Sequence, residues 1–73
     1  MGLDEKTKEL VAIGAAIGSN CIPCLEWHYK RCIELGISNK EIQEAIDLAK
    51  RVKESPIKKI NEVAEKLVRR ELT

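Results

Sequence analysis

Residues 18–28 read GSNCIPCLEWH, and this stretch decides the fold because it ends one helix and begins the next. Gly18, Ser19 and Asn20 are residue types that stop a helix. Pro23 then stands in the first turn of the following helix, where a residue without an N–H group is tolerated. Because the connection is short, we expect the two helices to pack roughly antiparallel.

The segment before this stretch is predicted to be a helix from about Asp4 to Ile17. Asp4 and Glu5 fit its first turn, where acidic side chains suit the helix dipole. Residues 10–18 read LVAIGAAIG, which is apolar on every side and predicts a buried helix. Gly14 costs about 1 kcal/mol relative to alanine in a helix interior, so we expect close packing or a functional close approach to compensate for it.

Three more helices are predicted after the first. The second ends at Gly36, a residue type favoured just beyond a helix. The third opens with Ser38 and Glu41, which have the spacing of a capping box. Ser55-Pro56 has the pattern of a cap followed by a first-turn proline, which starts a fourth helix. Since no strand pattern competes, the predicted fold class is all-α, a small helical domain of about four helices.

The fourth predicted helix carries an apolar stripe whose place in the fold the sequence leaves open. Its members recur at helical spacing and are Ile57, Ile60, Val63, Ala64, Leu67 and Val68. The stripe either extends the core of one chain or packs on another subunit. The 73 residues are read as one domain, residues 1–73. Domains this small usually need a staple, a metal or a partner subunit, so we expect a homo-oligomer.

Composition argues against several classes of partner. The net charge is +1, with basic and acidic residues interspersed, and no basic stripe with aromatic residues favours nucleic-acid binding. The apolar run at residues 10–17 is too short to cross a bilayer, and the charges at residues 4–6 do not fit a signal peptide. We therefore expect a cytoplasmic protein without nucleic-acid or membrane partners. In a reducing cytosol a Cys-x-x-Cys pair is more often catalytic or metal-binding than structural.

The pair Cys21 and Cys24 begins the second predicted helix. Unpaired N–H groups and the helix dipole favour a thiolate there. Their spacing also suits a disulfide, whose Cα atoms lie about 4.4–6.8 Å apart. His28 shares a helix face with Cys24 and can take a proton from it. An odd total of three cysteines argues against a purely structural disulfide framework.

An acidic partner for His28 can be nominated from helix geometry. A histidine that acts as a base needs an acid to orient its other nitrogen. Glu9 lies about 15 Å before the turn and His28 about 12 Å after it, so an antiparallel hairpin brings them to similar depth. Glu9 is also the carboxylate in the interior of the first helix, whereas Asp4 and Glu5 lie at its end.

Two other readings of the cysteines stay open. Cys21, Cys24, His28 and Cys32 could nominally supply four zinc ligands. Three of them, however, lie along one helix face with successive rises of about 6 Å, which makes convergence on one ion hard. The pair could also be incidental core cysteines, and Cys32 alone is typical of a small buried hydrophobe. We assign no metal and no cofactor.

Together, Glu9, Cys21-x-x-Cys24 and His28 resemble the signature of the AhpD-like alkylhydroperoxidases, which belong to the wider carboxymuconolactone decarboxylase superfamily. The resemblance covers roughly residues 3–49, and the run from the first cysteine to the histidine is its specific part. Pro23 is a departure, because the best-known members carry a second histidine at that position. The resemblance implies an all-α homo-oligomer, often a trimer or hexamer.

The resemblance also implies roles for the four residues. Cys24 would be the peroxidatic thiol and Cys21 its resolving partner, while Glu9 and His28 would form the proton relay. A peroxide would oxidise Cys24 to a sulfenic acid, which Cys21 would convert to a disulfide. The helix dipole argues instead for Cys21 as the more acidic and more exposed thiol, so the order of attack stays open.

The expected function is therefore peroxide reduction or dithiol–disulfide exchange. The expected partners are a peroxide substrate and a dithiol or protein reductant. A first alternative is a non-redox enzyme of the carboxymuconolactone decarboxylase type, against which the Cys-x-x-Cys pair argues. A second alternative is a structural or metal-binding helical module.

Overall fold

The computed structural model describes residues 2–72, with side chains for residues 2–70. Its helices are α1 (Glu5–Gly18), α2 (Ile22–Glu34) and α3 (Asn39–Leu72). No strand occurs among the described residues, and the predicted all-α class is confirmed. Helix α1 packs against both α2 and α3 and is therefore the central element.

The turn between α1 and α2 is a Schellman motif, in which two N–H groups reach back to carbonyls of the last helical turn. The Cys21 N–H donates to the Ala16 carbonyl at 3.0 Å, and the Asn20 N–H donates to the Ile17 carbonyl at 3.2 Å. Asn20 has a left-handed φ of 57°, which asparagine adopts more readily than most residues. The predicted helix stop is confirmed, and the turn folds α2 back onto α1.

A second Schellman motif ends α2 at Gly36, which has a φ of 75°. The Ile37 N–H donates to the Cys32 carbonyl at 3.0 Å, and the Gly36 N–H donates to the Ile33 carbonyl at the same distance. The motif is commonly sealed by an apolar contact between the residue after the turn and the last turn of the helix. Here Ile37 and Cys32 belong to the same buried cluster.

The predicted helix starts are confirmed at α1 and α3. Asp4 caps α1, because its Oδ1 accepts a hydrogen bond of 2.8 Å from the Thr7 N–H. That bond favours the charged carboxylate and lowers the pKa of Asp4. At α3 the Ser38 Oγ accepts from the Glu41 N–H at 3.2 Å. Both caps satisfy N–H groups that have no partner inside the helix.

The core is small and lies where the three helices meet. Ile13, Cys32, Ile37 and Ile42 are buried, each at most 4% exposed. Partly buried side chains surround them: Leu10, Leu25, Leu35, Ala45 and Ile46. The core thus draws on all three helices, but only on the first part of α3.

Helix α1 is not buried on every side, so that expectation is wrong. Ile13 and Ala16 are buried, but Val11 is 58% exposed. The reason is that α2 and α3 cover only part of a helix surface whose composition is apolar all round. Close packing at Gly14 is also not found, since a Cβ there would lie 3.9 Å from the Ala49 Cβ, an ordinary contact.

Helix α3 continues through Pro56, so the predicted fourth helix is helical but is not a separate element. The described residues therefore form three helices rather than about four. A proline removes one hydrogen bond, from its own nitrogen to the carbonyl of Val52, and crowds that carbonyl. Good helix formers on both sides, including Lys53, Glu54, Lys58 and Lys59, keep the helix intact.

We predict that Pro56→Ala raises the free energy of unfolding by as much as about 3 kcal/mol, because it restores the missing hydrogen bond. Thermal unfolding followed by circular dichroism measures the change. Ser55→Ala is the matched control and should change stability by less than about 0.5 kcal/mol. If Ser55 instead capped a separate helix, its removal would cost about 1 kcal/mol, and that result would contradict a continuous α3.

Candidate active site

Cys21 is held by the backbone of two helices at once. Its N–H closes the Schellman turn of α1 on Ala16, and its carbonyl accepts from the Leu25 N–H at 3.0 Å in the first turn of α2. It is the N-cap residue of α2, with extended backbone angles, and its side chain makes no capping hydrogen bond. The backbone of Cys21 is therefore fixed beside the N-terminus of α2, and the sulfur is attached at that point.

Cys21 and Cys24 form a disulfide, with their Cα atoms 5.2 Å apart. That separation lies within the ordinary range for disulfides. Cys24 is exposed, whereas Cys21 is only partly exposed and lines a small apolar groove of about 350 Å³ with Ile17, Ile22 and Leu25. The expectation that Cys21 is the more exposed sulfur is therefore wrong, because the turn presses it against the end of α1.

Glu9 and His28 meet across the α1–α2 hairpin, as the depth argument predicts. The His28 Nδ1 lies 2.7 Å from the Glu9 Oε2. The Glu9 side chain is 12% exposed and that of His28 is 30% exposed. A carboxylate can only accept, so the imidazole Nδ1 donates the proton of this hydrogen bond. In the neutral ring this leaves Nε2 as the basic nitrogen.

Arg31 joins this pair, and the sequence analysis did not single it out. Its Nε lies 4.0 Å from the Glu9 Oε1, and its Nη1 donates to the Glu34 Oε2 at 2.9 Å. Arg31 follows His28 by three residues on the same helix face, and this spacing could have indicated it. The guanidinium places a positive charge beside the second oxygen of Glu9 and so helps to hold the Glu9 side chain in position.

Lys53 anchors the turn before Cys21 from the far side of the fold. Its ammonium donates to the Ile17 carbonyl at 3.0 Å and also hydrogen-bonds the Asn20 Oδ1. It therefore binds, at the same time, a carbonyl that already accepts from the Asn20 N–H and the side chain of that left-handed residue. The two partners lie more than thirty positions away in sequence, and no local pattern indicates this contact.

The chain is similar to known proteins over most of its length. Residues 1–65 match the model of the carboxymuconolactone decarboxylase family. The chain belongs to this family. It is also 40% identical over 47 residues to "Uncharacterized protein 4 in cox locus" of Paracoccus denitrificans.

That alignment covers 64% of this chain and 42% of the relative, so the chain spans less than half of the relative's length. No solved structure gives a significant match. The carboxymuconolactone decarboxylase family is therefore established by the match to its sequence model.

Cys32 is a free cysteine that lies in the core, apart from the exposed candidate site. It is fully buried, and burial raises the pKa of its thiol, with the nearby Glu9 charge acting in the same direction. A raised pKa keeps the thiol protonated at neutral pH and so less nucleophilic. Within the described part of the chain, no three His, Cys, Asp or Glu side chains gather in a way that could hold a metal ion.

Among the described helices, none is both long enough and apolar enough to cross a bilayer.

We predict that Glu9→Ala lowers the free energy of unfolding by about 1–3 kcal/mol, because it removes a partly buried hydrogen bond from the imidazole to a carboxylate. It should also abolish the downfield proton NMR signal of the His28 Nδ1–H. Glu5→Ala is the matched control on the same helix, since Glu5 is exposed and contacts only Lys8 at 3.5 Å. An unchanged imidazole signal in Glu9→Ala would contradict the pairing.

We predict that Lys53→Met lowers the free energy of unfolding by about 1–2 kcal/mol, because the Ile17 carbonyl and the Asn20 Oδ1 each lose one donor. Lys50→Met is the control one turn earlier, where the side chain is exposed, and it should have little effect. Urea titration followed by circular dichroism compares the two variants. Equal stability of both would show that Lys53 does not support the turn.

Proposed function

We propose that this protein reduces peroxides through the Cys21–Cys24 pair, with Glu9 and His28 as a proton relay. The observation that carries the proposal is the disulfide at the start of α2 combined with a histidine that Glu9 holds at 2.7 Å. Membership of the carboxymuconolactone decarboxylase family and the resemblance to AhpD-like alkylhydroperoxidases support it. No metal or cofactor takes part in the proposed reaction.

The first step takes place at Cys24. With the pair reduced, the neutral His28 takes the proton of the Cys24 thiol, and Glu9 stabilises the imidazolium through its Nδ1–H. The thiolate sulfur attacks the outer oxygen of the hydroperoxide, and the O–O bond breaks. The leaving alkoxide takes the proton from His28 and departs as an alcohol, while Cys24 becomes a sulfenic acid. The sulfur is oxidised by two electrons and the peroxide is reduced by two.

The second step forms the disulfide of this structure. The Cys21 sulfur attacks the Cys24 sulfenic acid, an S–S bond forms, and the hydroxyl leaves as water with the thiol proton. The reach is short, because the two Cα atoms are only 5.2 Å apart. A dithiol then restores the pair by exchange, and its own two sulfurs become a disulfide. The cycle therefore turns a hydroperoxide and a dithiol into an alcohol, water and a disulfide.

Exposure supports Cys24 as the attacking sulfur. Cys24 is exposed, and it lies four residues before His28 on the same face of α2. Cys21 is more covered and is held at both its N–H and its carbonyl, which suits a partner that waits for the sulfenic acid. The N-cap position still favours a Cys21 thiolate during resolution.

Dithiol–disulfide exchange without a peroxide uses the same two sulfurs and is the second candidate. It needs only an accessible disulfide and an incoming thiolate, and the exposed Cys24 provides access. A non-redox enzyme of the same family has no use for a disulfide at this position. Self-association and a cytoplasmic location are further parts of the proposal.

Thiol counting tests the proposal. We expect the fully reduced protein to lose two of its three thiols after one equivalent of hydrogen peroxide or an alkyl hydroperoxide. Cys24→Ser should abolish peroxide consumption, and Cys21→Ser should trap a sulfenic acid that dimedone labels. Cys32→Ser is the matched control and should react like the unchanged chain, because that thiol is buried.

His28→Asn and Glu9→Gln should each slow peroxide consumption by about a hundredfold, the usual scale of general acid–base catalysis. Their exchange with an excess of a strong dithiol should be much less affected. Peroxide that leaves all thiols intact would refute peroxide reduction. Rapid reduction of the oxidised protein's Cys21–Cys24 disulfide by a dithiol would then favour the second candidate.

A further inference from the structure

An open apolar groove of about 630 Å³ runs between α1 and α3. Leu10 and Val11 line its α1 wall, while Leu48 and Val52 line its α3 wall. Three of these side chains are largely exposed: 58% for Val11, 59% for Leu48 and 69% for Val52. The groove is therefore the part of α1 and α3 that the small core leaves uncovered.

The later part of α3, residues 57–68, projects beyond the core, and we call it the arm. All of its residues are exposed. Its large apolar side chains are Ile57, Ile60, Val63, Leu67 and Val68, each between 44% and 64% exposed. Charged and polar residues occupy the opposite side of the helix. Such an amphipathic helix is stable when its apolar face is covered.

Groove and arm together expose more apolar surface than a monomer usually tolerates. The seven exposed aliphatic side chains of α3 present on the order of 700 Å², against roughly 300–600 Å² for the largest patch on a typical monomer. A stable interface buries about 800 Å² per partner. The uncovered surface of α3, with Val11 of α1 beside it, thus matches what one protein interface needs.

The apolar stripe of α3 reads the same in both directions. Seven positions follow one another at spacings of 4, 3, 4, 4, 3 and 4 residues, with Pro56 in the middle: Ala45, Ala49, Val52, Pro56, Ile60, Val63 and Leu67. Spacings of three and four keep these positions on one side of a helix. Two antiparallel copies of α3 therefore align their stripes about a two-fold axis at Pro56.

This alignment pairs small residues with large ones. Leu67 of the arm lies opposite Ala45, and Val63 lies opposite Ala49. The small residues lie on the part of α3 that faces α1, where a Cβ added at Gly14 would lie 3.9 Å from the Ala49 Cβ. Facing positions that alternate in size let two helices interdigitate. The large side chains of the arm thus complement the small side chains that line the groove.

Charge also favours the antiparallel direction. Glu44 in the first part of α3 lies nearly opposite Lys66 of a second copy, and both side chains are exposed. A parallel pair in the same register would place Lys66 beside Lys66. Opposite charges at the rim of an interface set orientation and register more than affinity.

We infer that the groove of one chain takes the arm of a second copy, in an antiparallel pair whose two-fold axis passes near Pro56. Each arm fills the groove of the other chain, so the same surfaces meet on both sides and the contact closes. The inference rests on the self-association proposed above and is independent of peroxide chemistry. It gives the stripe of α3 a partner that the core of a single chain does not provide.

The mass in solution tests this pairing. Light scattering on the purified chain should give at least two copies of the 8.2 kDa polypeptide. Val63→Glu puts a charge in the middle of the arm stripe and should halve the mass of a dimer to that of a monomer. Asn61→Glu adds the same charge on the polar side of the helix and should leave the mass unchanged. Circular dichroism checks that both variants stay helical.

Cysteine cross-linking tests the direction and the axis, in a Cys21→Ser, Cys24→Ser background that removes the exposed native thiols. Pro56→Cys should cross-link to itself across the axis, and a mixture of the single variants Val52→Cys and Ile60→Cys should cross-link only between unlike chains. Val63→Cys alone should not, because its counterpart is Ala49. A larger assembly that keeps these cross-links also supports the pairing.

Three results would overturn it. A monomer at every concentration would refute both self-association and this pairing. An assembly that withstands Val63→Glu would preserve self-association but place it on another surface. Self-cross-linking of Val63→Cys would show that the arms run parallel, because only a parallel pair places Val63 beside Val63. Peroxide consumption by a Val63→Glu monomer would leave the proposed function intact, since none of the site residues lies on the arm.

Discussion

The whole structure depends on the hydrogen bond from the Cys21 N–H to the Ala16 carbonyl. It closes the turn at the left-handed Asn20 and reverses the chain within three residues. The reversal folds α2 back along α1, and the same residue then begins α2 with its own carbonyl. Cys21 therefore serves both the fold and the candidate active site, because its backbone closes the hairpin turn and its side chain supplies one of the two sulfurs.

The arrangement of the charged and polar side chains at the site follows from this hairpin. Glu9 and His28 come from different helices, and a shift of one residue along either helix would move their side chains by about 1.5 Å along the axis and 100° around it. Arg31 and Lys53 add two further anchors, one to the carboxylate and one to the turn. Because these contacts tie the site to all three helices, the rigidity of a very small core extends to the site.

Local chemistry made part of this structure predictable. Helix stops at Asn20 and Gly36, the start of α1 near Asp4, the cap at Ser38 and the depth match of Glu9 with His28 all follow from neighbouring residues and helical rise. The prediction of a separate helix starting at Pro56 is wrong, because Ser-Pro locally favours a helix start whereas strong helix formers on both sides favour continuation. The contact of Lys53 with the turn and the exposure of Val11 depend on how the helices pack, which no local pattern indicates.

The disulfide has one more consequence, which comes from its span. It joins residues only three positions apart, within a single turn of chain. A cross-link restrains the unfolded chain more when it closes a longer loop, so this one restrains it little. Its making and breaking is confined to the start of α2, and no other helix is tied through it. Oxidised and reduced chains can therefore share one fold, and electrons can be stored and released without any large rearrangement of the chain.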